Sequence, residues 1–176
     1  MVENLNSGCG CSFEERRATI SEPYRFVDSG LPNVYLSGVR YKTCVKCGKQ
    51  SADIPAVKQL LAVIARAVVE SESPLTGPEI RFLRKRIGKK SSEFGRIIGV
   101  TVEQVSRWEN GHNLPEESAD KLIRIFYCIL SGDPKLRAKL DKHMESWLAQ
   151  FRREPQTPCI RANLYRDTWR TSSCAA

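Results

Sequence analysis

Two kinds of hydrophobic spacing divide the chain. Within residues 1–52, apolar side chains recur at every second position in three short stretches that are separated by glycines and prolines. These stretches are Tyr24/Phe26, Val34/Leu36 and Val39/Tyr41. Alternation with a period of two is typical of half-buried strands joined by turns. The pattern therefore predicts a small antiparallel sheet.

Helical spacing begins with the segment PAVKQLLAVIARAVVE, residues 55–70. It opens on a proline, and its apolar residues at 57, 60, 61, 64 and 68 predict a linking helix. SESPLTG then reads as a short linker, and the chain from Thr76 to about Phe151 reads as helix. We therefore expect an α+β fold in four parts. These are a small β module over 1–52, a linking helix and linker over 53–74, an all-α domain over 75–130, and a C-terminal amphipathic helix with a flexible tail over 131–176.

End signals predict three short helices at the start of the all-α domain. Thr76 and Glu79 form a capping box at the start of the first, and Gly99 ends the second, SSEFGRII. The third begins at Val102, directly after Thr101, and Gly111 can take the left-handed conformation that ends it. Its apolar side chains share one face, which leaves the polar side chains on the other.

The 176 residues include 28 Lys and Arg against 20 Asp and Glu, a formal net charge of +8 at pH 7. A basic chain favours an anionic partner such as nucleic acid. Part of the excess lies in RFLRKRIGKK, which runs from Arg81 to Lys90 and contains no acid. Such a run is either a solvated helix face or a set of phosphate contacts. The function of the neighbouring helices distinguishes the two interpretations.

The order of these helices and the sequence of the third resemble a known DNA-binding family. The stretch GVTVEQVSRWENG is similar to the GVS…ISRWENG signature of Xre/Cro helix-turn-helix domains, and the resemblance covers about residues 75–130. The alternative is a helical bundle that happens to carry these residues. The resemblance implies that the third helix lies in the major groove of double-stranded DNA. It also favours the basic run as a set of DNA backbone contacts.

With Val105 and Trp108 turned inward, the outer face of the third helix supplies the candidate base contacts. A guanidinium bonds guanine O6 and N7 together, which makes Arg107 the best base reader, and Glu103 can accept from cytosine N4. The candidate base-contacting residues are Val102, Glu103, Ser106 and Arg107. The candidate phosphate-contacting residues are Arg81, Lys89, Lys90, Ser91, Ser92 and Asn110.

Four of the seven cysteines lie in residues 1–52 and form two close pairs. Cys9 and Cys11 make the first pair, Cys44 and Cys47 the second, and 32 residues separate them. Two close pairs of thiolates supply the four tetrahedral donors that Zn²⁺ prefers. A sheet this small also needs such a metal to fold. The alternative is four unconnected cysteines with a redox role.

A cysteine-paired module, a linking helix and an Xre-type domain, in this order, are similar to the MqsA-type (YgiT-type) zinc-finger antitoxins over roughly residues 9–130. That resemblance implies a protein that grips a small toxin through its zinc module and represses its own operon as a dimer. Two features depart from the family: the first pair is CGC, and about 45 residues follow the fourth helix of the domain. The alternative is a stand-alone Xre-family regulator whose zinc module is structural or sensory.

The segment PEESADKLIRIFYCIL predicts that fourth helix. Its apolar residues would cover a wider part of the helix surface than the single face that packing on one domain requires. We therefore expect part of it to pack on a second subunit, and the homodimer to read a palindromic operator. The tail after the next helix is expected to be disordered or to be a partner-binding strand.

Other functions find little support in the sequence. It shows no phosphate-cradling glycine loop, paired acidic cluster or Ser/His/Asp set, so no enzyme activity is expected. It shows neither a secretory signal nor a membrane span, so we expect a cytoplasmic protein.

Overall fold

The computed structural model describes residues 12–71, 73–151, 160–165 and 168–173, with side chains as far as residue 142. Two compact units are present, Met1–Asp133 and Pro134–Ala176. The first holds a β module, a connecting helix and a four-helix domain, and the second holds a helix and a hairpin. A small antiparallel sheet followed by helices confirms the predicted α+β class.

Within residues 12–53, five short strands build the β module. They are β1 (Phe13–Arg17), β2 (Tyr24–Arg25), β3 (Tyr35–Leu36), β4 (Arg40–Cys44) and β5 (Gln50–Asp53). β4 lies between β1 and β5 in one antiparallel sheet, while β2 and β3 pair as a separate hairpin. The alternating pairs located β2, β3 and the start of β4. They did not mark β1 and β5, whose sequences FEERR and QSAD are largely polar.

The three-stranded sheet has almost no hydrophobic core of its own. Every side chain of β1 is exposed, and across the three strands only Cys44 is buried, at the end of β4. The apolar core lies beside the hairpin, where the rings of Tyr24 and Tyr41 meet with centroids 5.4 Å apart. The buried residues of this core are Ala18, Tyr24, Phe26, Leu31 and Leu36. The sheet itself therefore gains little stability from burial.

The connecting helix α1 spans Val57–Glu70, close to the predicted range. Its inner face is buried at Ile64 and Val68, two of the positions that the helical spacing marked. The same face lines one side of an apolar groove, and Leu31 and Leu36 of the β module line the other side. The β module and α1 thus share an apolar contact region.

Four helices follow, α2 (Gly77–Arg86), α3 (Ser91–Ile98), α4 (Val102–Glu109) and α5 (Glu117–Leu130). A tight turn joins α3 to α4, and Gly99 takes the left-handed conformation there, with φ of 76°, as its place at the end of the predicted helix required. The inner faces of the four helices form one core. Its most deeply buried residues are Leu75, Ile80, Leu83, Phe94, Val105 and Ile123.

Side chains of α5 hold the segment between α1 and α2, which was predicted as a linker. The guanidinium of Arg124 donates to four backbone carbonyl oxygens, and Asp120, itself bonded to Arg124, accepts from the backbone N–H of Leu75 at 2.6 Å. The four carbonyls belong to Val68, Val69, Ser71 and Ser73, at 3.1, 2.8, 2.6 and 2.7 Å. We call Asp120 and Arg124 the linker clamp. The clamp bonds the main chain near both ends of the segment, and this joins α1 firmly to the four-helix domain.

The second unit begins with α6, Pro134–Phe151, in the segment where an amphipathic helix was predicted. It continues with β6 (Ile160–Tyr165) and β7 (Thr168–Ser173), which pair antiparallel. The sequence predicted that the tail would be disordered or would form a strand that binds a partner. It did not predict this hairpin. Its signal is the alternation of apolar and polar residues in IRANLY. Within the described residues, no helix is both long and apolar enough to cross a membrane.

Candidate nucleic-acid interface

α4 presents two different faces. Its inner face carries Val105 and Trp108, which are 0% and 3% exposed, as their spacing predicted. Its outer face carries the four candidate base contacts, and all four are exposed to solvent. These are Val102, Glu103, Ser106 and Arg107. We call this surface the outer face of α4.

Local signals set both ends of α4. The hydroxyl of Thr101 accepts the backbone N–H of Gln104 at 3.2 Å, which satisfies a free N–H of the first turn and confirms the predicted start at Val102. At the other end, Gly111 has φ of 73°, the left-handed conformation expected of a glycine that closes a helix.

A buried ion pair fixes the far end of α4 to α2. Glu109 is 7% exposed, and its two carboxylate oxygens accept from Arg84 Nε at 2.5 Å and from Arg84 Nη2 at 2.9 Å. Nη1 of Arg84 donates to the carbonyl of Lys89 at 2.8 Å. The hydrogen bonding with Glu109 raises the pKa of Arg84, so the guanidinium stays charged. One side chain thus bonds α4 and the turn between α2 and α3.

The first residue of α2 also lies against the end of α4. A Cβ atom at Gly77 would overlap the carbonyl oxygen of Trp108 and would lie 2.9 Å from that of Glu109. Backbone atoms cannot move aside as a flexible side chain can. Glycine at this position therefore allows α2 to approach α4 closely.

A second arginine of α2 reaches the same end of α4. Arg81 donates from Nε to the Glu109 carboxylate at 3.3 Å, and from Nη2 to the Glu109 carbonyl at 3.1 Å and to Asn110 Oδ1 at 2.9 Å. The amide nitrogen of Asn110 donates to the hydroxyl of Ser106 at 3.2 Å. Arg81 and Asn110, both predicted as phosphate contacts, are thus bonded to each other and to the outer face of α4.

The basic run from Arg81 to Lys90 is not one charged surface. Arg84 is buried and paired, and Arg81 is partly exposed and paired, because both reach the carboxylate of Glu109. The interpretation of the whole run as backbone-binding charge is therefore wrong for Arg84, whose charge is balanced inside the protein.

The other candidate phosphate contacts lie at the start of α3. Lys90 and Ser92 are exposed, while Lys89 and Ser91 are half-buried. Glu93 accepts the backbone N–H of Lys90 at 2.9 Å, and this bond lowers the pKa of the Glu93 carboxyl. Two lysines directly before α3 and two hydroxyls in its first turn thus lie close to one ionised carboxylate.

Glu103 on the outer face of α4 is a charged acceptor. Its pKa is lowered by a hydrogen bond from its own backbone N–H, by a second with the side chain of Thr101, and by the charge of Arg107. At neutral pH the carboxylate therefore offers acceptor atoms alone, whereas Arg107, one turn further along, offers donors alone. The outer face of α4 combines both kinds of group.

Two of the predicted zinc ligands lie together at one end of the three-stranded sheet. The backbone N–H of Cys47 donates to the sulfur of Cys44 at 3.5 Å. This bond lowers the pKa of the Cys44 thiol, which favours the thiolate form that metals bind. The N–H of Val45 in the same turn donates to the carbonyl of Ser12 at 3.0 Å, so the start of β1 passes beside the two cysteines.

The other two predicted ligands, Cys9 and Cys11, lie outside the described residues. In the part of the chain that the structure describes, no group of three or more His, Cys, Asp or Glu side chains is placed to hold a metal. The structure therefore brings together Cys44 and Cys47 and leaves the complete quartet a prediction.

The residues that hold the interface in place were missed from the sequence, although a signal existed. Glu109 shares the helical spacing of Val105 and Trp108, which are four and one positions before it, and this places the acid on the inner face. Arg84 follows Ile80 by four positions and lies on the inner face of α2 for the same reason. The sequence therefore places Glu109 on the inner face of α4 and Arg84 on the inner face of α2. Two opposite charges on inner faces that pack together indicate an ion pair.

Known proteins share the four-helix part of the chain. Residues 80–126 match the protein family described as helix-turn-helix. Over 62 residues the chain is 36% identical to the uncharacterized HTH-type transcriptional regulator YiaG of Escherichia coli strain K12 and to the proteins of that name from strains O6:H1 and O157:H7. The alignment covers 35% of this chain, and this chain spans 60% of the length of those curated relatives. The chain therefore contains a helix-turn-helix domain, as GVTVEQVSRWENG predicted.

We predict that Arg84→Met or Glu109→Leu alone lowers the free energy of unfolding by about 3–5 kcal/mol. The first leaves the buried Glu109 carboxylate with only the 3.3 Å contact to Arg81, and the second leaves the buried Arg84 guanidinium without a carboxylate. The double variant removes both charges and should recover most of that loss. Chemical denaturation followed by circular dichroism measures all three. As a control, Lys121→Met breaks an exposed pair with Glu117, which water screens, and should change stability far less than either single variant. A double variant as unstable as the sum of the single ones would show that the two charges are not coupled.

Proposed function

We propose that this chain is a sequence-specific DNA-binding regulator of transcription, most simply a repressor, and that α4 is its recognition helix. One observation carries the proposal: buried contacts fix the inner face of α4, while its outer face presents Glu103, Ser106 and Arg107 to solvent. A helix held in this way suits the major groove, which admits one helix and is read by donors and acceptors. The Escherichia coli relatives are named as HTH-type transcriptional regulators, which supports the same function.

The side chains of the outer face of α4 suit particular base edges. Arg107 can bond guanine O6 and N7 together, ionised Glu103 can accept from cytosine N4, and Val102 can contact a thymine methyl group. At the start of α3, the proposed phosphate contacts are Lys89, Lys90, Ser91 and Ser92. Such contacts supply affinity and register without sequence information.

An apolar strip on α5 supports a homodimer. One side of α5 packs into the domain core, while Leu122, Ile129 and Leu130 remain 39%, 43% and 44% exposed. A second copy would cover this strip and remove it from water. Two copies related by a two-fold axis would read a palindromic operator with half-sites about one DNA turn apart.

We further propose that the β module binds one Zn²⁺ through Cys9, Cys11, Cys44 and Cys47. The described residues fit such a site, because the three-stranded sheet buries a cysteine and no other side chain. A metal cross-link would supply the stability that burial does not. Four thiolates would also complete the coordination and leave no open position for a substrate.

The position of Ser12 supports the inclusion of the first cysteine pair. Its carbonyl accepts the N–H of Val45, in the turn between Cys44 and Cys47. In the sequence Ser12 directly follows Cys11, so a ligand set that includes Cys11 is compatible with this hydrogen bond.

The finer proposal is an antitoxin that binds a small toxin through the β module and represses its own operon. The order of the cysteine-paired module, the linking helix and the helix-turn-helix domain supports it. The second candidate is a stand-alone regulator without a toxin, and the helix-turn-helix family match at residues 80–126 is compatible with it.

We predict that Arg107→Ala lowers affinity for an operator selected from random double-stranded DNA by about 5- to 150-fold, through the loss of one bidentate base contact. Fluorescence anisotropy at a fixed salt concentration measures the change. Arg107→Lys is the matched control, since it keeps the charge and should lose discrimination at one base pair while retaining non-specific binding. Wild-type affinity in Arg107→Ala would rule out α4 as the reading helix.

For the metal site, we expect one zinc per chain in purified protein, measured by inductively coupled plasma mass spectrometry. Cys44→Ser and Cys47→Ser should lose the metal, while Cys128→Ala, which changes a buried cysteine of α5, should keep it. Chelation should unfold the β module and leave the helical circular-dichroism signal of α2–α5. Zinc-free protein whose β module stays folded would contradict the site.

For the partner, we expect the tagged chain, expressed with its neighbouring gene, to copurify with a small protein at fixed stoichiometry. That protein should be toxic when it is expressed alone, because the antitoxin covers its active surface. Native mass spectrometry gives the composition of the complex. A homodimer without a companion would favour the stand-alone regulator instead.

A further inference from the structure

Three side chains connect α2 to the outer face of α4 in a single line of hydrogen bonds. Arg81 Nη2 donates to Asn110 Oδ1 at 2.9 Å, and Asn110 Nδ2 donates to Ser106 Oγ at 3.2 Å. Arg81 is held in turn by the carboxylate and the carbonyl of Glu109, at 3.3 and 3.1 Å. We call Arg81, Asn110 and Ser106 the relay.

The direction of every bond in the relay is determined by chemistry. A guanidinium has donors and no acceptor, so the atom of Asn110 that faces Arg81 must be the amide oxygen. The amide nitrogen must then face Ser106. The oxygen and nitrogen of this asparagine side chain are therefore assigned without the usual ambiguity between them. Since that nitrogen can only donate, the hydroxyl oxygen of Ser106 must accept.

A hydroxyl that accepts from Asn110 still has its own hydrogen to donate. Serines inside helices often donate this hydrogen to the carbonyl four residues earlier. Among the described residues, the only side-chain hydrogen bond of Ser106 is the one with Asn110. Ser106 is exposed on the outer face of α4, so its O–H is available to whatever lies against that face.

We propose that the relay makes Ser106 a hydrogen-bond donor to one base in the major groove, with Arg81 and Asn110 as the residues that set its polarity. This inference rests on the proposed function of α4 and deepens it. The hydroxyl would select a base edge with an acceptor, which guanine presents at N7 and O6, adenine at N7 and thymine at O4. It would discriminate against cytosine, whose major-groove group is the N4 donor.

The relay also assigns Arg81 and Asn110 roles that differ from phosphate binding. A phosphate contact contributes the same affinity to every sequence. A positioning residue that makes the Ser106 hydroxyl a donor instead affects the sequence preference at one base pair and leaves the preference at the others unchanged. This difference can be measured.

The deciding variant is Asn110→Asp, which is nearly isosteric and keeps a partner for Arg81. A carboxylate only accepts, so Ser106 must now donate to it, and the lone pairs of the hydroxyl then face the groove. The matched control is Asn113→Asp, which adds the same charge three residues further on, at an exposed position outside the relay. Ser106→Ala removes the hydroxyl altogether.

The probe is double-stranded DNA that the wild-type protein selects from a random pool, together with all of its single-base-pair variants. We expect Ser106→Ala to lose about 3- to 10-fold of discrimination at one base pair. Asn110→Asp should lose the wild-type preference at that same base pair and favour a base that offers a donor, cytosine or adenine. Asn113→Asp should leave the preference intact, and the double variant Ser106→Ala/Asn110→Asp should match Ser106→Ala at that position.

Two results would overturn the relay. One is a uniform loss of affinity across all sequences in Asn110→Asp, with the preference at every base pair unchanged. The other is an unaltered preference profile in Ser106→Ala. Thermal melting of each variant separates either result from misfolding. Wild-type protein that selects no sequence at all would instead defeat the proposed function itself, and this outcome is distinct from both.

Discussion

The buried pair of Arg84 and Glu109 is the interaction on which the outer face of α4 depends. Two charges remain stable out of water here because guanidinium and carboxylate bond each other twice, and the guanidinium bonds the carbonyl of Lys89 as well. α4 has eight residues, too few for a stable isolated helix. Its orientation therefore comes from this pair and from the buried side chains beside it. The outer face of α4 is well defined because its inner face is held.

Local signals in the sequence were sufficient to locate the helices of the domain. Capping side chains and closing glycines marked the ends of α3 and α4, and the spacing of Val105 and Trp108 marked the inward side. These features depend on residues within about one helical turn of each other. A single sequence displays them for that reason, and the exposed candidate base contacts followed once the inner face was known.

Pairings between distant segments were not visible in the same way. Asp120 and Arg124 lie one turn apart on α5 and resemble a surface ion pair, but their main-chain partners lie 45 to 56 residues earlier. β1 has no alternation at all, and its pairing with β4 is what makes it a strand. Each of these features depends on a contact with a segment that is distant in sequence, and the local pattern of residues does not show which segment that is.

The linker clamp has an evolutionary consequence. Arg124 and Asp120 bond the last turn of α1 and the segment that follows it through backbone carbonyls and one backbone N–H, and not through side chains. Substitutions at the exposed positions of that segment can therefore accumulate without altering its path, provided that position 75 keeps its buried leucine and its N–H group, which proline would remove. Selection on the junction acts instead on two residues of a helix far along the chain. Homologous chains can thus differ at the exposed positions of this stretch and still hold α1 and the four-helix domain at the same angle.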